Sequence, residues 1–254
     1  MEMSSSSSEG KRSTLLLKAL PLPLIGFPLW IILSNVHDAV FALYSDPLDA
    51  TYLLVQIGAV YAGMVYLAVV GTMFIVKSTK ITWRDLGFLA YRVDIWSVLW
   101  FIISLIYLVT FSVFWQLICS YWHISLLNRS SLLTTYTAMP FSQASMVLII
   151  GVVGPLSEEV LFRGLLFRRL DEMLTIVLVR WVAPSMVSPL ALVGAVSISA
   201  GVFATLHLDM NSFPIYFVIG AVLALWMKYT RSLWPGWLLH MAFNSLFIIR
   251  LIIH

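Results

Sequence analysis

The sequence predicts an all-α polytopic membrane protein, a bundle of about seven or eight transmembrane helices. Of its 254 residues, 61% are hydrophobic and only 11% are charged, and the mean hydropathy is +0.95. A soluble domain usually has about 25% charged residues. The apolar residues also fall into runs of roughly 20, the length that crosses a bilayer as a helix. Lipid is therefore the expected solvent, and helices are expected because they satisfy their own backbone groups there.

The chain divides into a polar tail and a membrane region. Residues 1–13 are Ser-rich and are predicted to be a disordered tail. The apolar runs predict spans at 20–44, 51–76, 95–119, 144–168, 190–208, 213–229 and 234–253. Residues 172–188 are apolar but short and are interrupted by Arg180 and Pro184, which favours an interfacial helix over an eighth span.

Basic residues in the links between spans predict the orientation. With seven spans they all fall on one side, whereas the loop after the first span holds Asp46 and Asp49 and no Lys or Arg. The positive-inside rule then predicts a cytoplasmic N-terminus. The expected location of this multi-pass protein is the plasma membrane. The basic residues used are Lys11, Arg12, Lys18, Lys77, Lys80, Arg84, Arg92, Arg168, Arg169, Lys228 and Arg231.

The basic balance of the chain does not indicate a nucleic-acid partner. The net charge is +3 and the isoelectric point is about 9.0, but the basic residues are spread over short links. Positive-inside topology produces that distribution without any basic patch. The expected partners are the lipid bilayer and a peptide or protein substrate, with no nucleic acid.

Two adjacent carboxylates lie inside the fourth predicted span, where charged groups are costly and usually functional. Glu159 and Arg163 are four residues apart, so they share one helix face and can form an ion pair. Glu158 points about 100° away from Glu159 on an α-helix. We therefore expect Arg163 to bind Glu159, a structural role, and Glu158 to be the carboxylate that performs chemistry.

Two histidines and an asparagine occur in later spans. His207 follows Phe203-Ala204-Thr205-Leu206, and His240 and Asn244 are four residues apart on one helix face. Each alone is explained by helix packing, because polar side chains hydrogen-bond across membrane helices. Together with Glu158 they place polar groups on three helices of the last hundred residues, which indicates a reactive site.

The residue types leave two chemistries open. Glu158, His207 and His240 could hold a divalent metal ion, zinc or another, that activates water. Without a metal, Glu158 could act as the base while His240 and Asn244 donate to an oxyanion. The sequence contains no His-Glu-x-x-His helix, which excludes an ordinary zincin. A Ser–His dyad of Ser197 or Ser199 with His207 remains a minor alternative.

These motifs resemble the CAAX-protease and bacteriocin-processing membrane family, which includes the type II CAAX prenyl endopeptidases. The resemblance covers about residues 144–250 and rests on three successive motifs. A weaker pre-core signature reads Arg84-Asp85-Leu86-Gly87. The three core motifs are Glu158-Glu159-x-x-x-Arg163-Gly164, Phe203-x-x-x-His207, and Ser232-Leu233-Trp234-Pro235 followed by His240-x-x-x-Asn244.

The resemblance implies a helical membrane fold around a catalytic cavity open to the cytosol. It implies that Glu158 and His207 activate water, that His240 and Asn244 stabilise the oxyanion, and that Glu159 and Arg163 orient the site. It leaves the need for a metal open. The substrate would be a prenylated protein or a peptide precursor.

The sequence thus predicts an intramembrane CAAX-type metalloendopeptidase. Its predicted regions are the tail 1–13, N-terminal membrane helices 14–143 and a CAAX-protease-like catalytic membrane core 144–254. The rival interpretation is a non-catalytic membrane binding or bacteriocin-immunity protein of the same fold, which the intact motif set disfavours.

Overall fold

The computed structural model describes residues 83–124 except 85, residue 126, residues 147–207 and residues 209–253. The predicted tail 1–13 and the predicted spans 20–44 and 51–76 lie outside these residues. The described ranges contain helices and turns and no strand. Their helices are α1 (Ile95–Tyr121), α2 (147–178), α3 (Pro184–Leu206), α4 (Phe213–Thr230) and α5 (Leu233–Ile253).

The described helices confirm a helical membrane protein. Helices α1, α3 and α4 are long and apolar enough to cross a bilayer, and α5 contains a shorter apolar stretch, Leu233–Ile249. The predicted spans 95–119, 190–208, 213–229 and 234–253 differ from α1, α3, α4 and α5 by at most six residues at either end. The total of seven or eight spans is not shown, because it depends partly on residues outside the described ranges.

Helix α2 changes its winding three times without breaking. It is π-helical over Val147–Val153, α-helical over Gly154–Glu159, π-helical over Val160–Phe167 and α-helical over Arg168–Leu178. A π-helix pairs each carbonyl with the N–H five residues on, and such stretches are frequent at functional sites. The two candidate carboxylates, Glu158 and Glu159, therefore lie between two π-helical stretches of one continuous helix.

The separate interfacial helix expected at 172–188 does not form. Helix α2 continues to Leu178, a turn follows, and α3 begins at Pro184. Ala183 is extended at ψ 142°, the conformation favoured before proline. Proline at the first helical position is pre-organised for a helix start. Pro184 therefore begins α3, although the sequence prediction took it as an interruption within an apolar stretch.

The core lies between α2, α3, α4 and α5. Helix α3 packs along α4 and along the Arg168–Leu178 part of α2, and α5 packs against α4, α1 and the Val147–Val153 part of α2. Large side chains such as Phe203, Leu223 and Leu239 are fully buried there. By contrast, most side chains of α1 are exposed in the part of the chain that the structure describes.

The segment before α1 is joined to the link between α4 and α5. Leu86 is buried, and Gly87 adopts a left-handed conformation with φ 98° that suits glycine. The backbone N–H of Leu233 donates to Gly87 O at 2.8 Å, and Ser232 Oγ donates to Leu89 O at 2.8 Å. The pre-core signature that ends at Gly87 and the motif that begins at Ser232, about 145 residues apart in the chain, are thus hydrogen-bonded to each other.

Helix α1 starts at a capping residue, Asp94. The hydroxyl and the backbone N–H of Ser97 both donate to its carboxylate, which caps the helix N-terminus. These hydrogen bonds, that of the Ser97 hydroxyl first, lower the pKa of Asp94 below its ordinary value.

Candidate active site

A buried ion pair forms the base of the site. Arg163 Nη1 lies 3.1 Å from Glu159 Oε1, and both side chains are 1% exposed. Arg163 also donates to Gly220 O on α4 at 3.3 Å, and its guanidinium lies 4.6 Å from the centre of the Phe203 ring. The predicted contact between Glu159 and Arg163 is therefore present, and it ties α2 to α3 and α4.

His240 lies between the two glutamates. Its Nδ1 is 3.0 Å from Glu159 Oε1, and its Nε2 is 3.6 Å from Glu158 Oε2. An ionised carboxylate only accepts hydrogen bonds, so the Nδ1 of His240 donates to Glu159. The Nε2 is then the nitrogen that faces Glu158. A separation of 3.6 Å is too long for a direct hydrogen bond but can be bridged by a water molecule or a substrate atom.

The two glutamates differ in exposure. Glu158 is 13% exposed, whereas Glu159 is 1% exposed and is enclosed by Arg163 and His240. Spacing along α2 predicts a basic neighbour, Arg163, for Glu159 and none for Glu158. His240, which comes from α5, shows that Glu158 also has a basic neighbour, a contact that spacing along α2 could not reveal.

The Phe203 ring connects the second motif to this group. It makes edge contacts with the His240 ring at 5.9 Å and with the His207 ring at 4.6 Å, measured between ring centres. Phe203 is 1% exposed and also packs against Phe162. The first residue of the Phe203-x-x-x-His207 motif therefore sets the spacing between the two histidines.

His207 lies at the end of α3 with its ring orientation fixed on two sides. Its Nδ1 is 2.8 Å from Phe203 O, and its ring stacks on Tyr216 of α4 with 3.9 Å between ring centres. A carbonyl oxygen only accepts, so Nδ1 carries the proton and Nε2 carries the lone pair. His207 is partly exposed, and its Nε2 is suited to accept a proton.

Asn244 lies one turn beyond His240 on α5. Its Nδ2 donates to Ile150 O in the first π-helical stretch of α2 at 3.3 Å. The side chain is partly exposed. One amide N–H is thus used to hold α5 against α2, while the second N–H and the side-chain oxygen remain available to a substrate.

The serine alternative does not fit the structure. Ser199 is 1% exposed and its Oγ donates to Phe162 O at 3.3 Å, so it joins α3 to α2. Ser197 is on an exposed face of α3. A nucleophilic serine is activated by a base to which its hydroxyl is hydrogen-bonded, whereas the Ser199 hydroxyl is bonded to a backbone carbonyl.

The predicted metal ligands do not form a ligand set in the described part of the chain. No three His, Cys, Asp or Glu side chains among those residues come close enough to hold one metal ion. Glu158 and His240 are neighbours, but the Nδ1 of the third predicted ligand, His207, is directed to Phe203 O. The need for zinc or another divalent ion stays a prediction.

Three contributors to the site were not singled out from sequence. In the sequence, Phe203 appears only as part of the Phe203-x-x-x-His207 motif, and no pattern marks Tyr216 or Gly236. A Cβ on Gly236 would lie 3.3 Å from Glu159 Oε2, so the glycine lets α5 approach the buried carboxylate. The aromatic spacing before His207 was visible in the sequence, whereas Tyr216 and Gly236 act through contacts between helices.

Comparison with known families places the site inside a recognised domain. The model of the type II CAAX prenyl endopeptidase Rce1-like family matches residues 140–246. That stretch includes α2, α3, α4 and α5 as far as Leu246, and it holds all six predicted site residues. Comparisons with curated proteins and with solved structures gave no match.

Proposed function

We propose that this chain is an intramembrane endopeptidase in which Glu158 activates water, because residues 140–246 match the model of the type II CAAX prenyl endopeptidase Rce1-like family. The family implies a protease, and the helices make the chain an integral membrane protein. The rival, a non-catalytic binding or immunity protein of the same fold, is not favoured by the match.

One observation carries the proposal, namely the unequal exposure of two adjacent carboxylates. Glu159 is enclosed by Arg163 and His240, while Glu158 is 13% exposed and faces His240 Nε2. A glutamate that only supported the fold would need no such opening. Intramembrane ionisable groups face cavities or the bundle interior when they are functional.

The proposed reaction is hydrolysis of one peptide bond. Glu158 takes a proton from water, and the resulting hydroxide attacks the peptide carbonyl carbon. The second Asn244 amide N–H stabilises the oxyanion, and His240 does so through Nε2–H when its ring is protonated on both nitrogens, since its Nδ1–H is given to Glu159. His207 Nε2 helps to orient the water. The proton on Glu158 then passes to the leaving nitrogen as the C–N bond breaks. Every step uses side chains of the chain itself.

An apolar cavity supports a prenylated substrate over an unmodified one. It measures about 350 Å³, a size typical of small-molecule sites, and lies between the start of α1, the end of α4 and the start of α5. Two of its polar side chains are already hydrogen-bonded, Tyr91 to Ser97 and Trp226 to Ser104. The lining residues are Tyr91, Val93, Ser97, Val98, Phe101, Trp226, Trp234, Pro235 and Leu238.

This cavity and the reactive residues share helix α5. Leu238 lines the cavity and His240 follows it by two residues, so the cavity and the reactive residues lie on different faces of the same helix. An isoprenoid fits a wall made almost entirely of hydrocarbon and aromatic surface. We propose that the cavity holds the isoprenoid of a C-terminal Cys-a-a-X segment.

One contact supports the orientation proposed from the sequence. The hydrogen bond between Leu233 and Gly87 brings Arg84 and Arg92 to the same end of the bundle as Arg231 and the last turn of α4, which contains Lys228. A single basic end supports a cytoplasmic face. The plasma membrane and a cytoplasmic N-terminus remain proposals.

A peptide pair tests the function directly. The purified full-length protein would be incubated in detergent with two peptides of one Cys-a-a-X sequence, one farnesylated and one unmodified. We expect cleavage after the Cys, faster for the farnesylated peptide, and a loss of about 10²–10⁴ in rate for Glu158→Gln. The matched control is Glu172→Gln, because Glu172 is a half-exposed glutamate of the same helix bound to Arg169.

Two outcomes would contradict the proposal. Normal turnover by Glu158→Gln would remove Glu158 from the chemistry. Binding of both peptides without cleavage by the wild type would favour the non-catalytic alternative. Equal cleavage of both peptides would leave the peptidase in place but refute the role given to the apolar cavity.

A further inference from the structure

A row of three side chains on α5 faces α2. Trp237, His240 and Asn244 follow each other at intervals of three and four residues, which puts them on one helix face. His240 contacts the two glutamates, as described above. The other two donate to backbone carbonyls, Trp237 Nε1 to Val152 O at 3.0 Å and Asn244 Nδ2 to Ile150 O at 3.3 Å.

Both acceptor carbonyls belong to the π-helical stretch Val147–Val153. A π-helical turn alters the regular hydrogen-bond ladder, and helix distortions of this kind are often stabilised by inserted side-chain partners. Each carbonyl oxygen has two lone pairs, so it can accept from a side chain in addition to the backbone. The wide stretch of α2 therefore offers acceptors to α5.

Close approach of the two helices is built into the same place. Gly151 lies between the two acceptor residues, and a Cβ there would be 3.0 Å from Ser245 Oγ on α5. That distance is tighter than most side-chain contacts, so a larger residue would require the Ser245 side chain or one of the helices to shift by a few tenths of an ångström. The Trp237 and Asn244 hydrogen bonds both depend on this approach.

We propose that the π-helical stretch Val147–Val153 docks α5, and that Trp237 is a positioning residue for catalysis. By holding Val152 O, Trp237 fixes the rotation of α5, and this rotation sets where the amide of Asn244 and the ring of His240 stand relative to Glu158. The kinetic part of this inference rests on the proposed peptidase function. The docking part does not, because it concerns only a contact between two helices.

Exchange of the indole N–H with solvent tests the docking without any activity. In ¹⁵N-Trp-labelled protein the Trp237 signal is assigned by its loss in Trp237→Phe, and the control signal is that of Trp181, which is 79% exposed in the turn after α2. We expect the Trp237 N–H to exchange at least 10-fold more slowly than that of Trp181, since it is hydrogen-bonded and partly buried. Equal exchange rates would overturn the docking.

Kinetics test the positioning role. Trp237→Phe keeps an aromatic ring and removes only the donor, so kcat is expected to fall roughly 3–10-fold, the size of one neutral hydrogen bond, with KM unchanged. Trp181→Phe should leave both constants unchanged. In an Asn244→Ala background the further loss from Trp237→Phe should be less than about 2-fold, because residues that act together are not additive.

The outcomes separate the two proposals. An equal fold loss from Trp237→Phe in both backgrounds would mean that Trp237 does not act through Asn244, which contradicts the proposed positioning, and an unchanged kcat would remove its role altogether. Either result leaves peptidase function intact. A wild-type protein without peptidase activity would refute the proposed function, while indole exchange would still decide the docking.

Discussion

The two halves of the site differ in how they are held. Arg163, Glu159 and His240 are each at most 3% exposed and are joined to one another by contacts of 3.0 and 3.1 Å. Glu158, His207 and Asn244 are partly exposed, and the polar contacts described for His207 and Asn244 are with backbone carbonyls. One half is an enclosed charge network, and the other half is open enough to receive a substrate.

Because of this difference, mutations in the two halves should affect different properties of the protein. Removing one member of a buried ion pair leaves an uncompensated charge, which destabilises the fold. Removing a partly exposed reactive group costs little stability but removes transition-state stabilisation. Stability and turnover should therefore respond to different sets of mutations, and each of the following variants tests that separation.

The largest effect is expected from Arg163→Ala. The change leaves Glu159 buried without its cation, which should cost about 3–5 kcal/mol of stability and remove most activity. The matched control is Arg180→Ala, because Arg180 is an exposed arginine in the turn after α2 and surface substitutions usually change stability by no more than about 0.5 kcal/mol. Thermal unfolding in detergent measures both, and equal losses would contradict the enclosed charge network.

A loss of turnover without a loss of stability is expected from His207→Gln. The substitution removes the Nε2 that is proposed to orient the attacking water, so kcat should fall about 10²-fold while the unfolding temperature stays near that of the wild type. His123→Gln, at the exposed end of α1, is the control. A drop in unfolding temperature as large as that of Arg163→Ala would move His207 into the structural half.

A smaller effect is expected from Gly236→Ala. Its Cβ would press on Glu159 Oε2 at 3.3 Å, and Glu159 cannot retreat because Arg163 and His240 hold it. Overpacking of this kind costs about 1–3 kcal/mol. Gly201→Ala on α3 is the control, because its Cβ would meet nothing within 4 Å. That control should be neutral or should stabilise by up to about 1 kcal/mol.

The smallest effect is expected from Ser199→Ala. Its Oγ makes one hydrogen bond to Phe162 O, so stability should fall by about 0.5–1.5 kcal/mol. Turnover by the folded protein should change by less than a factor of about 2, since no catalytic role is assigned to it. A loss of activity far beyond the loss of folded protein would revive the Ser–His dyad.

Much of the fold could be predicted because membrane helices follow local rules. The boundaries of α1, α4 and α5 agree with the apolar runs to within two residues. The thickness of the bilayer determines the length of both the apolar run and the helix. The pairing of Glu159 with Arg163 also follows from helix spacing alone. Features of this kind depend on residues close together in the chain.

The parts that could not be predicted depend on contacts between helices. The position of His240 between Glu158 and Glu159 joins residues about 80 apart, and its Nδ1 contact could not be read from either motif. The π-helical stretches of α2 have no simple sequence signature. The start of α3 at Pro184 was visible as a proline, but it was read as an interruption and not as a helix start.

The central claim is that adjacent glutamates have separate tasks, and one paired measurement tests it. Glu158→Gln and Glu159→Gln are isosteric changes one residue apart, so turnover of the farnesylated peptide and detergent unfolding temperature can be compared directly. We expect Glu158→Gln to lose about 10²–10⁴ in rate with a wild-type unfolding temperature. Glu159→Gln should unfold at a clearly lower temperature, because Arg163 loses its buried counter-ion. Unfolding temperatures that do not differ between the two variants, or normal turnover by Glu158→Gln, would contradict the account.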